Sequence, residues 1–186
     1  YSMAMLPHMA ASYFLAAFIS SWLICLCAEM FCLIYLYFTG WYMTAMDVVL
    51  VTADVTLLVV FGTALSSLCS APLKTQGQAS ALGTIISAGY GFICGAYMPI
   101  SQFTKGIRDV VTLLPGTYGT SLIRNRIMHG VFLEMENLNV PEAMITGLKD
   151  SIDVNLYFNS SAVSTTSMTM IVVVAIVILL AAYMVV

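Results

Sequence analysis

Residues Ser80–Ile127 read SALGTIISAGYGFICGAYMPISQFTKGIRDVVTLLPGTYGTSLIRNRI, and the fold turns on them. The first half is an apolar helix with small residues every fourth position, Gly83, Ser87, Gly91 and Gly95, stopping at Met98-Pro99. Small residues at that spacing let a second backbone approach closely, which is how helices associate where no hydrophobic drive acts between them. The second half is shorter and broken. Val110–Leu114 is apolar, Pro115-Gly116 bends the chain, and the basic pair Arg124 and Arg126 closes it. So short a run cannot cross a ~30 Å hydrocarbon layer. Residues 99–127 are therefore expected to dip into a bilayer and return to the same side, as a re-entrant hairpin marked by Pro99, Pro115, Gly116 and Tyr118. Lys105, Arg108 and Asp109 mark its interfacial start.

Composition names the solvent. Of 186 residues, 61% are hydrophobic and 8% charged, against about 25% charged in an ordinary soluble domain. A chain of this size cannot hide so much apolar surface in a core of its own, so the bilayer must take it up. The expected class is all-α: a polytopic membrane helix bundle of four transmembrane helices, a re-entrant hairpin and a small extracytoplasmic cap. The net charge of -3 rests on few groups and points to no nucleic-acid partner. Cys25, Cys27, Cys32, Cys69 and Cys94 all lie in apolar runs and read as small buried hydrophobes rather than disulfides or metal ligands. Tyr1 begins abruptly and Val186 lies inside an apolar run, so the chain reads as part of a longer one.

Taken in order, residues 1–98 hold three expected crossings, at about 9–38, 48–70 and 80–98. Thirty helical residues from Met9 to Phe38 would reach about 45 Å, so this helix must tilt or enter the headgroup zone. Tyr35, Tyr37, Trp41 and Tyr42 gather at its end as an interfacial belt would. Glu29 sits near its middle, where a charge costs roughly 2.5–3.5 kcal/mol on insertion scales. It is either a polar point on a transport path or an acid hydrogen-bonded to a neighbouring helix, and the sequence leaves both open. The short 39–46 loop forces an antiparallel hairpin. Asp47 is expected to cap the second helix, and Asp54, two turns in, should face protein or water. Lys74 lies in the polar turn before the third helix. The side of that helix opposite the glycines carries Ile86, Tyr90, Ile93 and Tyr97, a surface suited to lining an amphipathic cavity. Glu29, Tyr90 and Tyr97 are thus the candidates for a translocation path.

From 128 to 164 the chain turns acidic, with Glu134, Glu136, Glu142, Asp150 and Asp153, and reads as a small solvent-facing cap. Pro141-Glu142 opens a short amphipathic helix through Leu148. Asn159-Ser160-Ser161 matches a glycosylation sequon. The run 165–186 is rich in Val and Ile, carries no charge, and is the clearest crossing segment.

Four crossings place both ends and Lys74 on one side, and the 39–46 loop with residues 99–164 on the other. Lys105, Arg108, Arg124, Arg126 and Lys149 lie in the long segment, which argues by the positive-inside rule for that side facing the cytoplasm. Segments beyond ~60 residues, however, translocate largely regardless of charge. No glycine-rich phosphate loop ending in Lys-Ser or Lys-Thr and no GxSxG elbow occurs. His8 and His129 are far apart and in no HExxH pattern. The chain is expected to be no enzyme.

The run Gly91–Ile100 (GFICGAYMPI), followed by Leu113–Tyr118 (LLPGTY), resembles type-2 ABC transporter permeases. In that family the penultimate helix ends in a G-x-x-x-P-like sequence, and a re-entrant hairpin, an extracytoplasmic segment and a last helix follow. The order of elements is similar across most of the chain, most sharply over about thirty residues. The resemblance implies the third to sixth crossings of a six-span subunit of an ABC exporter in the cell membrane. It places residues 99–164 outside and Lys74 in a cytoplasmic loop. It also implies a homodimer or heterodimer of permeases, with ATP and Mg held by a separate ABC ATPase subunit and no cofactor in this chain. The small-residue stripe would then serve helix packing or the dimer seam. An ion-coupled secondary transporter fragment, with broken helices and buried acids such as Glu29 and Asp54, is the alternative.

Overall fold

The computed structural model describes residues 6–73, 75–158 and 161–185. Lys74, and Asn159 and Ser160 of the sequon, lie outside the described residues. Seven helices are present among them: α1 (Leu6–Thr39), α2 (Ala45–Ser70), α3 (Gln76–Ile93), α4 (Lys105–Val111), α5 (Pro115–Asn137), α6 (Glu142–Ser151) and α7 (Thr165–Val185). A 3-10 turn, Ile100–Gln102, precedes α4, and a two-residue antiparallel ribbon pairs Tyr157 with Ala162 and Phe158 with Ser161. Three helices, Ala11–Thr39 of α1, α2 and α7, are long and apolar enough to cross a bilayer. α3 has 18 residues but opens on the polar Gln76-Gly77-Gln78, which dilutes its hydropathy.

Local chemistry sets the helix ends. Thr44, not Asp47, is the N-cap of α2. Its hydroxyl accepts from the Asp47 backbone N–H, while the Asp47 carboxylate accepts from the Thr44 backbone N–H at 2.9 Å, a reciprocal capping box. α3 was expected to run to 98 but stops at Ile93. Gly95, at φ +80°, takes the left-handed conformation, and the N–H groups of Gly95 and Ala96 close back onto the carbonyls of Phe92 and Gly91. That is a Schellman ending with glycine at its left-handed position. Asn139 at φ +57° ends α5, and Asp153 at φ +56° ends α6, by the same pair of bonds.

The expected hairpin boundary at 127/128 falls inside a helix. Pro115 opens α5 at its first turn, where its missing N–H costs nothing, and no breaker intervenes before Asn139. The bend lies just before the proline. Thr117 Oγ1 donates to the Val111 carbonyl at 2.8 Å and Tyr118 Oη to the Thr112 carbonyl at 2.6 Å. The Tyr118 hydroxyl thus satisfies a carbonyl at the end of α4, and Thr117 adds a second donor to the Val111 carbonyl, which also accepts from the Leu114 N–H at 3.0 Å.

α2 is the spine. It packs against α1 on one side and against α5 and α7 on the other. The main core joins Phe61 of α2, Val111 of α4, Tyr118 and Leu122 of α5, Ile100 and Leu156 from the connections, and Met168, Val172 and Ile176 of α7. Phe132, Ile145 and Val154 form a smaller cluster between α5 and α6. α5 runs antiparallel to α2, as a ladder of contacts shows: Gly130 against the Tyr42 carbonyl, His129 at Asp47, Arg126 at Asp54 and Gly119 against Leu58. The start of α5 therefore lies beside the middle of α2. The Phe14 and Tyr183 rings, 6.4 Å apart, bring the first part of α1 to the end of α7.

Candidate functional site

Two faces of α2 carry polar groups that meet neighbouring helices. Asp47 and Asp54, seven residues apart, share the face toward α5. Asp47 Oδ1 meets His129 Nδ1 at 3.1 Å, and Asp54 Oδ2 lies 3.6 Å from Arg126 Nε. Asp54 Oδ2 and Arg126 Nε are both screened from water, and neither makes a hydrogen bond. Thr52 and Thr56 share the face toward α1. Thr52 Oγ1 donates to Glu29 Oε1 at 2.7 Å, and Trp22 Nε1 donates to Thr56 Oγ1 at 3.0 Å. Thr56 also donates to the Thr52 carbonyl one turn back, and the single Thr52 hydroxyl proton is shared between Glu29 and the Val48 carbonyl at 3.0 Å. Glu29 Oε2 is buried without a donor.

Glu29 stands in the wall of an apolar groove of about 630 Å³ between α1, α2 and α5. The groove exists because α1 turns small side chains inward at helical spacing: Ala17, Ser21, Cys25, Ala28 and Cys32. A second groove, of about 370 Å³, lies between α2 and α3. Leu58, Gly62 and Ser66 line both, so one ridge of α2 separates them.

The three expected path residues do not converge. Glu29 faces the first groove and Tyr90 the second. Tyr97 lies past the end of α3, 69% exposed, with its ring 4.9 Å from that of Phe92. Tyr90 and Ile86 line the same groove as Gly83, Ser87 and Gly91, not the opposite side. Tyr90 packs on the start of α5 and on α2, since its hydroxyl accepts from the Gly116 N–H at 3.3 Å and its ring lies 6.0 Å from that of Phe61. Among the described residues nothing lies within 4 Å of a Cβ built on Gly83, and the nearest atoms to one built on Gly91 belong to the Tyr97 ring. The close helix approaches belong to α5 instead. A Cβ on Gly119 would meet Leu58 at 2.2 Å, and one on Gly130 would meet the Tyr42 carbonyl oxygen at 1.6 Å.

Arg124 and Asp153 form a clasp that sequence reasoning missed. Asp153 is 3% exposed, not a solvent-facing acid. Its carboxylate accepts from the N–H of Ile100, from the N–H of Ser101 at 2.9 Å and from Arg124 Nη1 at 3.3 Å. Arg124 Nη2 donates to the Gly95 carbonyl. One guanidinium thus ties the ends of α3 and α6 to α5. Ser121 Oγ adds a bond to the Asp153 carbonyl at 2.8 Å. Pro99 directly precedes the 3-10 turn whose first N–H enters the clasp. In the cap, Tyr157 Oη donates to Asp150 at 3.1 Å, which raises the Tyr157 pKa above the usual phenol value.

Among the described residues no three His, Cys, Asp or Glu side chains come together to hold a metal ion. The chain matches no known family, no curated protein and no solved structure.

Proposed function

We propose that this chain is the membrane-spanning part of an ATP-driven exporter, a permease subunit of the type-2 ABC transporter kind. In this reading α1, α2, α3 and α7 cross the cell membrane and α4–α5 is the re-entrant hairpin. The observation that carries it is the depth of that hairpin. Its turn at 112–115 lies near the middle of α2, because Gly119 packs on Leu58 and α2 runs from 45 to 70. α5 then climbs back to the level of the α1–α2 loop, where Gly130 touches Tyr42. A piece that reaches mid-depth and leaves by the side of that loop fits a dip rather than a crossing. The 71–75 turn is then cytoplasmic, and α6 with the ribbon lies outside.

Such a subunit works as a homodimer or heterodimer and carries no ATPase of its own. ATP and Mg belong to a separate ABC ATPase. The apolar α2–α3 groove, with Gly83, Ser87 and Gly91 in its wall, is the surface offered to a second permease. The protein is expected to co-purify with an ATPase subunit and stimulate its turnover in proteoliposomes. Transport sustained without any ATPase would reject the reading. The dip is tested separately in a cysteine-free background. Single cysteines at 75 and at 146 should react with an impermeant maleimide from opposite compartments, and labelling from one compartment rules the hairpin out.

Ion-coupled secondary transport is the second reading. It is favoured by the Asp54–Arg126 pair, a buried acid held 3.6 Å from the screened Nε of a half-buried arginine with no hydrogen bond between them. Uptake driven by a proton or sodium gradient in the absence of ATP would select it.

A further inference from the structure

The groove between α1 and α2 has the size and chemistry of a ligand site. Pockets for drug-sized molecules run from roughly 300 to 1,000 Å³ and combine an apolar lining with a few placed polar groups. This groove, at about 630 Å³, is lined by apolar and small side chains, by a few hydroxyls such as Ser21, Thr63 and Ser66, and by one acid, Glu29. Among the described residues no basic side chain lines it. Glu29 has spent one oxygen on the Thr52 hydroxyl and has the other without a donor. Glu29 is half-buried, and a carboxyl oxygen shielded from water without a donor calls for one, best a charged one. Anions find no partner here, and a wholly apolar guest leaves the open oxygen unmet.

We propose that this groove binds a lipophilic amine, an apolar body bearing one protonated nitrogen, with the ammonium group set against the Glu29 carboxyl. The small side chains of α1 make room for the body, and the acid selects the head. As the cargo site of an exporter the groove rests on the permease reading above. As a binding site it needs only the geometry of α1 and α2.

The test is photolabelling of the purified full chain in neutral phosphatidylcholine nanodiscs. The probe is a diazirine-bearing long-chain alkylammonium, compared with the alcohol of the same length. Mass spectrometry should place the amine's label on 17–36 of α1 and 51–67 of α2, at least fivefold above the alcohol. Glu29→Gln keeps an oxygen for the Thr52 hydroxyl while removing the charge, and should lower amine labelling about fivefold to the alcohol's level. Ser21→Phe, which fills the groove and leaves Glu29 in place, should lower both labels. Equal labelling by amine and alcohol means that the groove holds only an acyl chain, and it overturns the proposal. Undiminished amine labelling of Glu29→Gln overturns it as well. Because no ATPase is present, these outcomes leave the exporter reading untouched. Conversely, failure to find an ATPase partner would leave the labelling result standing.

Discussion

α1 and α5 invert the usual relation between hydropathy and burial. α1 is among the most apolar elements of the chain, yet none of its best crossing window is buried within the protein. α5 carries Arg124, Arg126, His129, Glu134 and Glu136, yet buries Gly116, Thr117, Tyr118, Gly119, Ser121, Leu122, Gly130 and Phe132. In water, the apolar helix would seek the core and the polar one would stay outside. In a bilayer the tails are as apolar as leucine, so hydropathy says which helix faces lipid and little about which helices pack. Packing falls to small residues and paired polar groups, and α5 has both.

The contrast is broken most directly at Gly130. A Cβ there would sit 1.6 Å from a backbone oxygen of the α1–α2 loop, and backbone cannot rotate away as a side chain can. Overpacking typically costs about 1–3 kcal/mol and more where backbone must move. Gly130→Val is expected to exceed that range and abolish a monodisperse peak in detergent size-exclusion chromatography. Gly106→Ala on α4, with open space around it, is the matched control and should behave as the native chain does. A monodisperse Gly130→Val protein of native melting temperature would mean that α5 does not dock on the loop.

Next in size is the clasp. Removing one partner of a fully buried ion pair costs about 3–5 kcal/mol, since the other is left uncompensated, and because the Arg124 side chain is 24% exposed the loss here is expected below that range. Asp153→Ala loses the carboxylate that holds Ile100, Ser101 and Arg124, and also puts a residue poorly suited to φ +56° at the end of α6. Asp153→Asn keeps an acceptor and tolerates the left-handed backbone better. Denaturation by SDS should therefore rank native above Asn above Ala. Equal losses for Asn and Ala would assign the whole effect to charge.

Thr52→Val sharpens the comparison from the α1 side. Interhelical hydrogen bonds in membranes are worth about 0.6–2 kcal/mol, and this change deprives Glu29 of the hydroxyl that donates to it. The core of α2, α5 and α7 is left intact. Hydrogen exchange should rise over 17–36 of α1 while α5 stays as slow as before. A rise shared by both helices would show that α1 belongs to the same cooperative unit.

Much of the helix plan was legible, because long charge-poor runs bounded by Gly, Pro and Asn have few other readings. α1, α2 and α7 begin and end within a few residues of the expected spans. The continuity of α5 was not legible, because Pro115-Gly116 reads equally as a bend or as a helix start and only tertiary packing decides. Arg124 and Asp153 were visible as charges, but a pair 29 residues apart has no periodicity to reveal it. The glycine stripe names no partner for a related reason. Fourfold spacing is a property of one helix, whereas a seam needs a neighbour, and Gly95 is needed to end α3. The signal for the contacts observed within the chain was in PGTYGTS (115–121), whose density of small residues on a polar helix suits close packing in lipid.

The smallest effect is expected at Gly83, and it decides whether that stripe has a partner at all. Nothing among the described residues meets a Cβ there, and alanine is the better helix former by roughly 1 kcal/mol. Gly83→Ala should thus leave the subunit's melting temperature unchanged or slightly raised. If a second permease packs on the α2–α3 groove, the added methyl stands between two backbones. The dimer fraction in cross-linking or native mass spectrometry should then fall while the subunit itself stays folded. A variant that keeps both its stability and its dimers would remove Gly83 from any interface and leave α3 facing lipid. The small residues of α5 would then be the packing residues that the observed contacts support.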